Sequence, residues 1–231
     1  MTEREYKVYV TPDGRQTVVD PDFDFIPLLP EDFKIISQPP PYDFVPSYQR
    51  TRKIVVPGLS AEDLSQINTH DLWKMHDRAL KEGAMSSLSS GDLNLLDLKI
   101  ELARREIQNC KLCGWMCAVN RFVQKGTYCG LEAEAFYSSL IAHIAEEPVI
   151  TPCMMIKLLG CSLRCKTCNA SEGLNLEQGK KLTKSVWDEM KEINGYEKTI
   201  ALQLFGGNPD ESVFSILRVL KGLSGDFKKP I

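Results

Sequence analysis

No apolar run in the chain approaches the roughly 18 residues that a membrane helix needs, and the opening MTEREYKVYV is charged where a secretory signal would be apolar. Neither a membrane span nor export is expected, and the cytoplasm is the expected compartment. Blocks of one charge are also missing: 28 Lys and Arg are interleaved with 31 Asp and Glu, for a net charge of -3. Nucleic acid, which demands a concentrated basic face, is not an expected partner. Proline is scarce after residue 57, because nine of the 13 fall at or before it.

Cysteine, by contrast, is plentiful and bunched. All eight lie between Cys110 and Cys168. In a reducing compartment such bunching points to metal ligands rather than disulfides. The 43% hydrophobic content is enough for a packed core.

Residues 1–58 read as a proline-rich extended arm, since proline lacks the N–H that helices and central strands require. Within it, VYV and RQTVV read as two short strands around Pro12-Asp13-Gly14. Phe23, Phe25, Phe33, Tyr42, Phe44 and Tyr48 suggest that the arm lies on a surface, the chain's own body being favoured over a partner's. Residues 59–109 read as helical: Ser60 with Asp63 makes a capping pair, Thr69 caps a second helix stopped by Gly83, and Leu93, Leu96, Ile100, Ala103 and Ile107 line one face of a third after the Ser/Gly segment 86–91. His70 and His76 read as surface or packing residues.

Residues 110–148 form a cysteine-rich module. Cys110-x2-Cys113-x3-Cys117-x11-Cys129 suits a metal site, with Gly114, Gly126 and Gly130 to take up its turns. Zinc on four thiolates, an auxiliary iron–sulfur cluster and an unmetallated fold-back all fit this spacing. Phe136, Tyr137, Leu140, Ile141 and Ile144 then predict an amphipathic helix ending near Pro148.

In residues 149–231, Met154 to Leu159 predicts a buried parallel strand, Thr183 to Asn194 a helix between Thr183 as cap and Gly195 as stop, Thr199 to Phe205 a second strand, and Asp210 to Lys221 a helix closed by Gly222. Strand, helix, strand, helix is the order of an α/β parallel sheet, whose ligands sit at the carboxyl ends of its strands. Cys161-x3-Cys165-x2-Cys168 follows the first strand, and Gly206-Gly207-Asn208-Pro209 follows the second. Three thiolates on one tight loop can occupy three corners of a [4Fe-4S] cluster and leave one iron without a protein ligand, and the triad by itself would also suit a zinc half-site with one further ligand. Cys153 reads as a buried thiol at the strand's entry.

The segment GCSLRCKTCNAS resembles the radical S-adenosylmethionine superfamily, and Gly206-Gly207-Asn208-Pro209 resembles its Gly-Gly-Glu-Pro loop, with Asn208 in place of Glu. Thr167 stands where the superfamily usually has an aromatic residue. The stretch CKLCGWMCAVNRFVQKGTYCG, then HIAEEP, then GCSLRCKTCN is similar to the pyruvate formate-lyase activating-enzyme-like subgroup with an N-terminal cysteine-rich module, over about residues 108–231. The resemblance implies a [4Fe-4S] cluster on Cys161, Cys165 and Cys168, S-adenosyl-L-methionine held by Gly206, Gly207, Asn208 and Pro209, and reductive cleavage to a 5'-deoxyadenosyl radical. It also implies an anaerobic setting and an electron donor such as flavodoxin or ferredoxin.

The fold so implied is the N-terminal part of a (β/α)6 partial barrel, with two of its six strands present in 149–231. The open sheet edge is expected to be covered by a second polypeptide, whether a protein substrate or a barrel-completing partner, by a dimer mate or by the arm. His143 and Glu146 match the subgroup's His-x2-Glu-Glu-Pro and suit either a metal or proton role or, as favoured, a helix-end cap. The alternative to a radical enzyme is a noncatalytic iron–sulfur or zinc protein that assists a larger partner.

Overall fold

Phe136–His143 form a strand, against the helical spacing of their apolar residues, and that strand sets the sheet. The computed structural model describes residues 7–10, 16–19, 46–57, 59–83, 93–144, 150–170, 176–224, 227 and 229–231. Its strands are β1 (Lys7–Val10), β2 (Gln16–Val19), β3 (Phe136–His143), β4 (Cys153–Leu159), β5 (Lys180–Lys181) and β6 (Ala201–Gly206). Its α-helices are α1 (Ser47–Lys53), α2 (Asp63–Gln66), α3 (Thr69–Glu82), α4 (Leu95–Gln108), α5 (Val186–Lys191) and α6 (Val213–Lys221).

Four strands make an open mixed sheet in the order β5-β3-β4-β6. The two strands read from sequence, β4 and β6, pair in parallel from Cys153↔Ala201 to Leu158↔Gly206. β3 replaces the expected amphipathic helix and runs antiparallel to β4. The register shifts between Tyr137 and Ser139. One extra residue turns the two-residue step of a strand into a step of three, so Tyr137 and Leu140 face the same core and imitate helical spacing. Aromatic and β-branched side chains in this stretch favour the pleated surface once β4 offers a partner. His143 therefore stands on a strand, not on a helical face shared with Glu146, which lies outside the described residues together with Glu147 and Pro148.

One face of the sheet packs Met154, Ile156, Leu158 and Leu202 against Trp187 and Met190 of α5 and Val219 of α6. Each such large side chain withdrawn from water contributes about 2 kcal/mol before entropy is counted. The Trp187 indole N–H satisfies the Val219 carbonyl at 2.9 Å, as a buried indole must. α4 lays Ala103 and Ile107 against Phe214 of α6, while Leu95, Leu98 and Leu102 pack with Leu72 and Ala79 of α3 and with Val56 and Leu59.

The helix ends follow the capping chemistry with one exchange. Ser60 and Asp63 bond reciprocally at the turn that leads into α2, but α3 is capped by Asn68, whose Oδ1 accepts from the Asp71 N–H, rather than by Thr69. α4 carries a full capping box of Asn94 and Asp97. α5 is shorter than the stretch read from sequence, Gly195 follows it at φ 90°, and a 3-10 turn at Pro209–Ser212 opens the last helix.

β1 and β2 pair antiparallel as expected; the Pro12-Asp13-Gly14 turn, Phe23, Phe25, Phe33, Tyr42, Phe44 and the segment 86–91 lie outside the described residues. Where the arm is described next, it grips the chain itself. Tyr48 Oη donates to the Phe227 carbonyl at 2.5 Å, Gln49 Nε2 to the Ser224 carbonyl at 3.1 Å, and Arg52 Nη1 to the Leu223 carbonyl at 2.6 Å. Along β6, the Leu202 N–H donates to the Pro230 carbonyl at 2.9 Å, so the last residues of this chain take up one donor of the edge strand.

Candidate metal centre

Gly160, at φ 81°, turns the chain out of β4 into the triad loop. A side chain there would overlap Leu131 at 2.6 Å and crowd the Cys129 carbonyl at 3.1 Å, so the backbone itself lies against the upstream cysteine module. Cys161 is half-buried, whereas Cys165 and Cys168 are exposed. The Cys168 N–H closes a turn onto the Cys165 carbonyl at 3.2 Å, and Arg164 takes a positive φ of 51°. Thr167 is exposed.

The glycine loop stands beside this one because β4 and β6 run in parallel and end together. The Gly207 N–H donates to the Leu158 carbonyl at 2.9 Å. A Cβ on Gly207 would lie 2.3 Å from the Gly160 carbonyl oxygen, and one on Gly206, at φ 90°, 2.7 Å from that of Leu158. Only glycine permits backbone to meet backbone so closely. Asn208 turns its side chain to local work: Oδ1 accepts from the Asp210 N–H and Nδ2 donates to Glu211 Oε1. Pro209 begins the 3-10 turn.

Glu211 is 1% exposed and ties the loops together. Its carboxyl oxygens accept from the Ser162 N–H at 3.1 and 3.2 Å and from Ser162 Oγ at 2.7 Å. Its backbone carbonyl accepts from Arg121 Nη1 at 2.7 Å, and Arg121 also donates through Nε and Nη2 to the Glu132 carbonyl. On the outer side, Trp115 Nε1 donates to the Ser162 carbonyl at 3.2 Å and Arg164 Nη2 to the Tyr128 carbonyl at 2.6 Å. Trp115 and Tyr128 stack at 3.6 Å between ring centres.

The upstream module is built on two tight loops. In the first, the Cys110 N–H donates to the Val119 carbonyl, the Ala118 N–H to the Cys110 carbonyl and the Met116 N–H to the Cys113 carbonyl, with Met116 and Ala118 at positive φ. In the second, Gly126 and Leu131 close around Cys129, whose Sγ would meet a Cβ on Gly126 at 2.5 Å. Burial raises the Cys117 thiol, but hydrogen bonds from the Thr127 and Val119 backbones and the Thr127 hydroxyl outweigh it and hold the thiol below its ordinary value. Burial pushes the Cys129 thiol up. Hydrogen bonds aimed at sulfur are the outer support that thiolate ligands use.

Residues 153–230 match the 4Fe-4S single cluster domain family. That match supports an iron–sulfur protein. It runs from β4 through the triad and the glycine loop. Among curated proteins, an uncharacterized protein of Methanocaldococcus jannaschii is 28% identical over 190 residues, which cover 74% of this chain and 53% of that protein. The chain thus spans about half the length of this relative. No solved structure matches it.

The matched span contains four cysteines, and the strand separates one from the rest. Cys153 is fully buried at the start of β4, with Sγ 3.7 Å from Gln203 Oε1. The triad follows the strand's other end, about 20 Å away at 3.3 Å per residue. Cys161, Cys165 and Cys168 are thus the thiols of this span that share one loop. They fit a cluster by donor chemistry: three sulfurs at a partly open surface, none of the eight cysteines tied in a disulfide. Among the described residues, no group of three or more His, Cys, Asp or Glu side chains is drawn together to metal-holding distance, in either cysteine group.

Sequence reasoning missed Glu211, Arg121, Ser162 and Trp115. None of the four is singled out by motif or spacing. Nothing in the spacing of Glu211 and Arg121 reveals that both are buried.

Proposed function

We propose that the chain is a radical S-adenosylmethionine protein, similar to the pyruvate formate-lyase activating-enzyme-like subgroup. Cys161, Cys165 and Cys168 hold a [4Fe-4S] cluster, and Gly206, Gly207, Asn208 and Pro209 line the place of the methionyl end of S-adenosyl-L-methionine. The observation that carries this reading is the backbone contact of Gly207 with Gly160, which joins the glycine loop to the residue preceding Cys161. A lone glycine turn or a lone cysteine triad would not support it.

When bound, such a cluster supplies one electron for cleavage of the sulfonium to methionine and a 5'-deoxyadenosyl radical. The chain's own part is to offer three thiolates and leave one iron to the ligand, and to keep Gly206 and Gly207 bare so that backbone groups approach the ligand. Asn208 serves the loop rather than the ligand, because its side chain is committed to Asp210 and Glu211. The upstream cysteines hold a second metal, zinc or an auxiliary cluster. A flavodoxin or ferredoxin is the electron donor in this reading.

The test is anaerobic preparation of the full chain, quantitation of iron and acid-labile sulfide, reduction with dithionite in the presence of S-adenosylmethionine, and chromatography for 5'-deoxyadenosine. About four irons and four sulfides per chain in excess of any upstream metal, lost in Cys165→Ala, are expected. Full cluster occupancy without 5'-deoxyadenosine would sink radical chemistry for the isolated chain, and zinc without sulfide at the triad would sink the cluster.

A further inference from the structure

Ser162 has no polar group to spare. Its N–H and Oγ are taken by Glu211, and its carbonyl accepts from the Trp115 indole. Ser162, the residue after Cys161, is therefore held at both of its peptides, the one joining it to Cys161 by a carboxyl group that follows the glycine loop and the one joining it to Leu163 by an aromatic side chain of the upstream module. Glu211 is itself held. Its carbonyl takes Arg121 Nη1, and the other guanidinium nitrogens fix Arg121 to Glu132, within the upstream module.

Arg121, Ser162 and Glu211 are all nearly inaccessible, at 2%, 2% and 1% exposure. Water cannot easily replace a lost partner in such a place, so breaking one link leaves buried polar groups unsatisfied and the loop has to move. The neighbouring backbone contact of Gly160 with the Cys129 carbonyl adds a second path between the same two regions.

We propose that Glu211 is the positioning residue of the triad's first cysteine and that, through Arg121, it makes the placement of Cys161 depend on the folding of the upstream cysteine module. The inference deepens the cluster reading and rests on it for its functional meaning, but the physical relay exists in the polypeptide alone. The upstream site then acts as a guard on assembly. A chain whose upstream module is unfolded presents Cys161 on a loose loop and holds three thiolates poorly.

The experiment is hydrogen–deuterium exchange on the full chain as purified under anaerobic conditions, read at the Ser162 amide by fragment mass spectrometry, with amides of β4 as the internal reference. In Glu211→Ala the Ser162 amide exchanges about three- to tenfold faster, while β4 is unchanged. Glu211→Gln, which keeps an acceptor oxygen at the same reach, recovers most of the protection, as a mere change of packing volume would not. Arg121→Met also accelerates Ser162, and combining it with Glu211→Ala adds little.

Wild-type exchange at Ser162 in Glu211→Ala overturns the positioning role, and effects of the two substitutions that simply multiply overturn the relay. Should Glu211→Ala fail to fold, Ser162→Ala, which removes the hydroxyl link and keeps the N–H, carries the same reading: faster exchange at residue 162 supports it and unchanged exchange overturns it. The readout is the amide itself, so failure here leaves the cluster assignment standing, and absence of iron leaves this result intact.

Discussion

The two cysteine groups differ in how the polypeptide treats its sulfur. Cys110 and Cys129 are buried, Cys113 and Cys117 are half-buried, and two tight loops surround them. Cys165 and Cys168 stand exposed on a loop outside the sheet, while Cys161 is half-buried beside Ser162, which Glu211 holds. A region that encloses its thiols makes its metal part of the fold, whereas one that exposes them keeps its metal open to a ligand. The difference teaches that similar cysteine spacings can sit in surroundings as unlike as a folded module and an exposed loop.

The sharpest way to break that comparison is to remove one sulfur from each group. With the upstream thiols holding a metal, as proposed above, Cys117→Ser costs about 4 kcal/mol or more, since loss of a structural metal belongs among the few mechanisms of large destabilisation, and lowers Tm by about 10 °C. Cys165→Ser abolishes triad iron and leaves Tm within about 3 °C of wild type, as an exposed loop position allows. Calorimetry with metal quantitation on both variants checks this. Equal losses of Tm would erase the distinction.

Much of this was legible in the sequence, and the reasons it failed elsewhere are specific. β4 and β6 were visible because each is a short apolar run bounded by Gly or Pro, a pattern that buried strands share. β3 was not, since the bulge after Tyr137 gives its core residues a step of three. The place of the triad loop, after β4, was visible because its spacing is local. The Arg121–Glu211–Ser162 knot was not, because its members come from three segments and acquire meaning only through burial. Thr69 was mistaken for a cap when Asn68, one residue earlier, has the extended backbone and the free acceptor that the position needs.

Glycines offer a finer comparison of the same two regions. In Gly207→Ala the new Cβ falls 2.3 Å from the Gly160 carbonyl oxygen, a backbone atom that can yield only by displacing the triad loop. A cost of about 2 to 3 kcal/mol is expected, together with loss of triad iron. Gly114, between Cys113 and Cys117, has nothing within 4 Å of a built Cβ. Gly114→Ala should stay within about 0.5 kcal/mol of wild type. Urea unfolding of both, with iron per chain, measures the contrast, and a silent Gly207→Ala would refute the loop contact.

The smallest effect lies where α1 clamps Leu223, Ser224 and Phe227. Burial pushes the Tyr48 phenol up to about 12, with Gln49 and Arg52 opposing, and its Oη donates to the Phe227 carbonyl. Because the folded value is above the unfolded one, near 10, the folded state holds the proton longer. The clamp's contribution is therefore complete below pH 10 and is lost as the pH rises through 12. Tyr48→Phe removes the hydrogen bond, costs about 1 kcal/mol, and flattens the stability profile between those values. A Tyr48→Phe profile that falls as steeply as wild type over that window would show that the clamp does not depend on the phenol, and iron content unchanged in this variant would mark the clamp as separate from the metal centre.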